Sequence, residues 1–226
     1  MSARPTLAIV GGTGALGSGL ALRWAAAGYR VVIGSHDTAK GAAVSAELEA
    51  TLAARGSDAR LEALDNRAAA AAGDIVVLAV AFSHQRATLE AIRAELVGKI
   101  LVDVTVPLVP PKVMRVQLPP EGSAGQIAQA LLGEPTRVVS AFQNVAATHL
   151  QGEGPVPCDV LVCGDDRDAR QQVIGLVEAA GARGLHGGGI ANAAAAEAMT
   201  SVLIFLNKHY GGHSGIRISG LDDAHV

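Results

Sequence analysis

The stretch that most constrains this chain is TLAIVGGTGALGSG, residues 6–19. The apolar run Leu7, Ala8, Ile9, Val10 breaks into a glycine-rich turn, and Leu20, Ala21, Trp24 and Ala25 follow at helical spacing. Read from Gly12, the turn is G-x-G-x-x-G, and each glycine has a mechanical task. Gly12 makes a tight turn, Gly14 allows close backbone approach to a pyrophosphate, and Gly17 lets the helix pack tightly on the strand. The helix start then aims unpaired N–H groups and the positive end of its dipole at the phosphates. Glycine turns also serve packing alone; a second strand about twenty residues further on favours the dinucleotide reading.

A chain of 226 residues is long for a bare nucleotide-binding domain and short for two full domains. The expectation is α/β: a Rossmann-type doubly wound parallel sheet over residues 1–145 and a small C-terminal α/β domain over 146–226. That second part would complete the substrate site and an interface between subunits. With a formal net charge of -3 and interspersed signs, no basic stripe points to nucleic acid or an anionic membrane. The two cysteines, Cys158 and Cys163, fall on opposite faces of an apparent strand 158–163, form no C-x-x-C motif, and suit a reducing cytoplasm. The uncharged run 5–22 belongs to the strand-turn-helix rather than to a signal peptide. Glu197 and Lys208 bracket the most hydrophobic segment, so no apolar stretch is expected to span a bilayer.

The second strand, 30–33, ends in Gly34, Ser35, His36 and Asp37, with Lys40 one helical turn on. An NAD site places a carboxylate at this tip for the ribose hydroxyls, whereas a 2'-phosphate wants donors and positive charge. Ser35, His36 and Lys40 supply those, so the expected cofactor is NADP. The alternative has Asp37 take the ribose while Ser35 caps the helix 38–55. That helix carries the stripe Val44, Leu48 and Leu52. An edge strand 60–64 follows, then a short alanine helix capped by Asp65 or Asn66, and a buried strand 75–80. Val80, Ala81 and His84 at its end should line the cofactor crevice, unless His84 only occupies the first turn of a helix 83–97.

A fifth strand, 99–105, runs into Val106-Pro107-Leu108-Val109-Pro110-Pro111, a stiff apolar wall at the same sheet edge. After a helix 123–132 and a sixth strand 137–142, Gln143, Asn144 and Val145 return to the crevice. Beyond them come a strand 158–163, a helix 168–180 with Val173, Ile174 and Val177 inward, a flexible glycine run 185–189, and a tail 216–221 that could add a last strand. The helix 192–208 is apolar nearly all round at Met199, Val202, Leu203, Ile204, Phe205 and Leu206, so it should bury against the nucleotide domain or a second subunit. His209 and His213 are separated by Gly211 and Gly212 with no third ligand near, so no metal site is expected.

Taken together, GGTGALG, GSHDTAK, VPLVP, VVSAFQNVAA and LVCGDD resemble the coenzyme F420-dependent NADP oxidoreductase family, in order and spacing, from Leu7 to about Ile216. The resemblance implies an N-terminal Rossmann domain, a small C-terminal domain and a homodimer. By position it implies that Gly12, Thr13, Gly14 and the turn through Ala15 and Leu16 hold the pyrophosphate, and Ser35, His36 and Lys40 the 2'-phosphate. Pro107, Leu108 and Gln143 to Val145 would be the walls that sandwich nicotinamide against a deazaflavin, with Thr200 on the C-terminal helix. The family usually has Arg where His36 stands, archaeal members have His-Thr-Ile-Pro where this chain has Gln143 to Ala146, and Ala193-Ala194 replace a family Ser-Arg.

Hydride transfer between two rings needs near-attack positioning in a dry slot more than proton chemistry. A slot walled by Pro107, Leu108, Phe142 and Val145 would provide that without a catalytic side chain. Two alternatives stand beside F420: NADPH-dependent reduction of a flavin, pterin or small keto acid, and a non-catalytic NADP sensor. A keto-acid reductase would want a lysine near the nicotinamide, and Lys208 is the only one in the C-terminal part.

Overall fold

The computed structural model describes residues 4–221. Strands and helices alternate as β1 (Leu7–Val10), α1 (Ala15–Ala26), β2 (Val31–Ser35), α2 (Thr38–Ala54), β3 (Leu61–Asp65), α3 (Asn66–Ala72), β4 (Ile75–Leu78), α4 (Phe82–Ile92), β5 (Ile100–Asp103), α5 (Ala124–Leu132) and β6 (Arg137–Ser140). After them come α6 (Ala147–Gln151), β7 (Asp159–Gly164), α7 (Arg167–Ala179), β8 (Arg183–Gly188) and α8 (Ala193–Tyr210). One sheet holds all eight strands in the order β3-β2-β1-β4-β5-β6-β7-β8. Neighbours are parallel except β6 and β7. The order reverses between β1 and β4, which is where a doubly wound sheet opens a crevice beyond its strand ends.

The central strands are buried on both faces, as their unbroken apolar runs require. Leu7, Ile9, Val31, Ile33 and Val77 point to one side and pack with Leu20 and Trp24 of α1, Leu48 and Leu52 of α2 and Val173 of α7. Ala8, Val10, Val32, Val76 and Leu78 point to the other, against Ala69 of α3, Leu89 of α4 and Ala128 of α5. Trp24 ties α1 to α7 within the first of these layers: its Nε1 donates to Leu176 O at 2.8 Å, and its ring meets Phe142 edge-on at 5.8 Å. Phe142 is therefore core rather than a wall of the slot, and it holds a left-handed backbone with φ 72° that turns the chain at the end of β6.

The C-terminal segments differ from expectation in three places. The glycine run at 185–189 is largely strand, β8, because a parallel β7-α7-β8 unit continues the sheet past the antiparallel β6/β7 pair. The tail 216–221 forms no strand; it is held by single bonds, Asp159 N to Ile216 O at 2.8 Å and Ile218 N to the Asp159 carboxylate at 2.6 Å. The short helix α6 was not foreseen, and Arg23 fixes it by donating to the carbonyls of His149 and Leu150. Cys158 and Cys163 do sit on opposite faces, both buried as free thiols, and burial pushes each up to about 11.

Helix α8 also corrects an expectation. By length and composition alone the span Ile190–Tyr210 is apolar enough to cross a bilayer. Yet Glu197 stands in its middle, and that carboxylate is buried against protein, accepting from Ala124 N at 2.6 Å and Gly125 N at 3.0 Å at the start of α5. Ala193, Ala196 and Leu203 pack inward, while Met199, Val202 and Phe205 are exposed.

Candidate functional site

The glycine turn follows β1 directly, and neighbouring atoms show why each glycine is needed. Gly11 takes φ +74°, and a Cβ there would lie 2.6 Å from Val80 and 2.8 Å from the Ala79 carbonyl. A Cβ at Gly12 would meet Ile9 O at 2.7 Å, and one at Gly17 would meet the Gly12 Cα at 2.9 Å. Gly17 thus lets α1 sit on the turn, as its spacing predicts. Gly14 is different: a Cβ there would meet only Gly11 O, at 3.9 Å. The space at Gly14 faces solvent, and α1 begins there with no side-chain cap and no acidic residue in its first turn. Uncapped N–H groups at a helix start are a ready anion site.

At the tip of β2, Ser35 is buried, and its hydroxyl accepts from Asp37 N at 3.1 Å. Asp37 is the N-cap of α2, its carboxylate accepting from Lys40 N at 3.1 Å. The carboxylate at this tip is thus engaged by its own helix, which is the usual task of an N-cap aspartate. His36 and Lys40 stay exposed beside the glycine turn.

A cleft of about 470 Å³ gathers Thr13, Gly14, His36, Lys40, Val80, Ala81 and His84, all anticipated from sequence. Gly12, Ala15 and Leu16 support the turn without lining the cleft, and Ser35 borders an adjoining hollow. His84 lies in the first turn of α4, its N–H bonded to Ala81 O, and it also lines the cleft. Sequence reasoning missed Gly11, Asn66, Ala79 and Thr88, which line it too. Asn66 was considered only as a helix cap. Asp65 is the cap, accepting from Arg67 N and Ala68 N at 3.0 Å, which frees Asn66 to accept from Gly11 N at 3.2 Å and brace the turn. A polar residue just past a strand end, next to one that already caps, was the available signal.

The second group of expected residues lies at the ends of β5 and β6. Gln143, Asn144, Val145 and Thr200 surround a cavity of about 150 Å³ with Ala146, Leu203 and Asn207. Pro107 is buried and Leu108 half-buried, and neither lines that cavity or the larger cleft. Asn144 Nδ2 donates to Ala196 O at 2.8 Å, and Thr200 Oγ1 donates to Gln143 O at 2.9 Å, so α8 is stitched to this segment. Gln143 Nε2 donates to Asp103 O at 2.9 Å and Ser140 Oγ at 2.8 Å, while its Oε1 is buried with no hydrogen bond among the described residues.

Two carboxyls lie under this region, and the burial of neither was anticipated. Asp103 accepts from Gln85 Nε2 at 2.5 Å and from Thr105 N at 2.9 Å, and burial raises it above the usual carboxyl range. Burial likewise pushes Glu197 up to about 7 against the pull of its two backbone donors. Glu197 joins α8 to the start of α5, and Asp103 holds Gln85 and the turn at Thr105. Among the described residues, no group of three or more His, Cys, Asp and Glu could hold a metal ion.

Comparison with known proteins identifies the family. Residues 6–107 match the family model described as NADP oxidoreductase, coenzyme F420-dependent. An F420-dependent NADP reductase of Methanocaldococcus jannaschii is 39% identical over 222 residues, covering 96% of this chain and 99% of that protein. One from Methanothermobacter thermautotrophicus is 41% identical over 225 residues, covering 96% of each. Among solved structures, a candidate F420-dependent NADP reductase from Arthrobacter sp. FB24 superposes with a TM-score of 0.78 at 27% identity, over 93% of this chain and 96% of that one. The chain therefore belongs to the family of coenzyme F420-dependent NADP oxidoreductases.

Proposed function

We propose that this protein transfers a hydride directly between NADP(H) and a deazaflavin of the F420 type, the activity named for its archaeal relatives. The observation that carries the reading is the tip of β2, where Asp37 is turned into its own helix while His36 and Lys40 face the cleft. A 2'-phosphate finds charge and donors there, and the carboxylate at this tip already serves as a helix cap. Thr13, Gly14 and the open start of α1 would take the pyrophosphate, and Val80, Ala81 and His84 would line the way to the ring. When bound, the cofactor supplies the hydride from its nicotinamide ring. Gln143, Asn144, Val145 and Thr200 would form the acceptor side in this reading, whereas Pro107 and Leu108, also expected there, line neither space. The unpartnered Oε1 of Gln143 supports a role in orienting an amide N–H. No side chain is consumed, because the rate gain comes from holding two rings in register without water.

Residues 1–145 bind the nucleotide in this account, and residues 146–226 complete the acceptor site and the contact between two copies. The exposed apolar side chains of α8 support a homodimer, and two buried free thiols support the cytoplasm. Titrating the protein with NADPH and NADH, then adding F420 or FMN and following absorbance, tests the whole reading. NADPH should bind more tightly than NADH and be oxidised by F420. Equal binding of the two nucleotides, or oxidation by FMN but not F420, would overturn it.

A further inference from the structure

We propose that Arg67 recognises the adenine base of the bound nucleotide, its guanidinium plane lying along the purine while Glu95 fixes that plane. The inference rests on the NADP reading and names a residue that the reading does not use. Next to the cofactor cleft lies a second hollow of about 410 Å³, bordered by Asp65, Arg67, Ala87, Ala91 and Ile92. His36, Asn66, His84 and Thr88 line both spaces, so one ligand can pass from the first to the second. A nucleotide with its pyrophosphate at α1 and its ribose at the tip of β2 has one part left to place at this end, its base.

The surface of the hollow is mostly apolar. Ala87, Ala91 and Ile92 of α4 make one wall, and no Phe, Tyr or Trp lines it to stack on a base. Arg67 supplies the planar group instead. Its backbone is pinned, since its N–H donates to the Asp65 cap at 3.0 Å. Its side chain is pinned as well: Nε donates to Glu95 Oε1 at 2.5 Å, and the terminal nitrogens make no hydrogen bond among the described residues. Glu95 lies on the 3-10 turn Arg93–Leu96 that follows α4, with its side chain only 12% exposed. The hydrogen bond from Arg67 holds its carboxyl below the usual range. The result is a guanidinium held at Nε on the border of the hollow, its side chain 70% exposed and open to a ligand. A cation held against a π-system in this way adds binding that is blind to the 2' position.

Equilibrium titrations of wild type, Arg67→Ala and Arg67→Lys with NADPH, NADH and reduced nicotinamide mononucleotide test the proposal. Arg67→Ala should weaken NADPH and NADH by the same factor, about 5- to 30-fold. The mononucleotide, which has no adenine, should bind as before. Arg67→Lys should lose nearly as much, because an ammonium keeps the charge and loses the plane. Glu95→Gln, which loosens the guanidinium without removing it, should show a smaller loss for both dinucleotides. NADPH binding to Arg67→Ala within about twofold of wild type would overturn the proposal, as would a loss confined to NADPH or full retention in Arg67→Lys. Wild type that binds no NADPH would instead end the cofactor reading beneath it.

Discussion

Gly11 and Gly14 stand three residues apart in one turn and are glycine for opposite reasons. At Gly11 the backbone is left-handed and the space for a Cβ is already filled by Val80 and the Ala79 carbonyl. At Gly14 the space is open. Gly11→Ala should therefore destabilise the free protein by about 2 kcal/mol or more, read as a lowered denaturation midpoint. Gly14→Ala should leave that midpoint nearly unchanged and weaken NADPH binding by at least about tenfold, because its methyl enters the room reserved for phosphate. If Gly14→Ala instead unfolds the protein and spares binding, the room has a purely structural purpose. Lys40→Ala separates charge from shape. It should weaken NADPH by about 10- to 100-fold, the weight of a charge-assisted bond, while NADH titrates as it does with wild type.

Helices carry the next level of the argument, because α8 reaches the site only through what it grips. Glu197 joins it to the start of α5, and Asn144 and Thr200 join it to the segment after β6. Burial raises the Glu197 carboxyl to about 7, above its ordinary 4.5, so the folded state holds a proton that the unfolded chain releases between those values. This group's contribution is thus most favourable at pH below about 4.5 and is lost as pH rises through 7. Denaturation midpoints of wild type should fall from pH 5 to pH 8 relative to Glu197→Gln, and parallel profiles would show that Glu197 does not titrate there. Asp159 has the opposite sign. The hydrogen bond from Arg183, with Ile218 N also bound, holds its carboxyl below the ordinary range. Its stabilisation is present above pH 4 and disappears as pH falls through the lowered value, and Asp159→Asn should remove about 3 kcal/mol at neutral pH. These links explain what was legible in the sequence. The strand, glycine turn and helix of β1 and α1, the stripes of α2 and α7 and the donors at the tip of β2 are local patterns. Each is written within a few turns of chain. Glu197 finds its donors 72 and 73 residues away, and Asn66 meets Gly11 across 55. In sequence, one reads as a charge breaking an apolar helix and the other as a spare cap. The strand β8, rich in glycine, exists because β7 offers it a parallel edge, which no local propensity records.

At the scale of the whole molecule, α8 presents a contradiction that a single chain does not resolve. Its inner side is anchored by Glu197 and Thr200, whereas Met199, Val202 and Phe205 lie on the outside, with Phe205 51% exposed and stacked on His209 at 5.8 Å. Large apolar side chains grouped on one helix face ordinarily mark an interaction surface. Glu197 fastens the inner side of the helix into the fold, so the exposed face can receive a partner without the helix leaving the sheet. The segment after β6 is tied to this helix by Asn144 and Thr200. A dimer formed on α8 would stiffen Thr200 and Asn144, and through them the acceptor wall, without adding any residue to the nucleotide cleft. Phe205→Glu places a charge at the centre of that face while sparing the inner anchors. If α8 is the subunit contact, sedimentation should show a dimer for wild type and a monomer for Phe205→Glu, since loss of one buried aromatic anchor costs about 2–4 kcal/mol of association. NADPH binding should survive in the monomer, because Thr13, Gly14, His36 and Lys40 lie on the other half of the sheet, and hydride transfer to F420 should fall. A dimer that persists, or a monomer with undiminished turnover, would place the subunit contact elsewhere and leave α8 a support for one site alone.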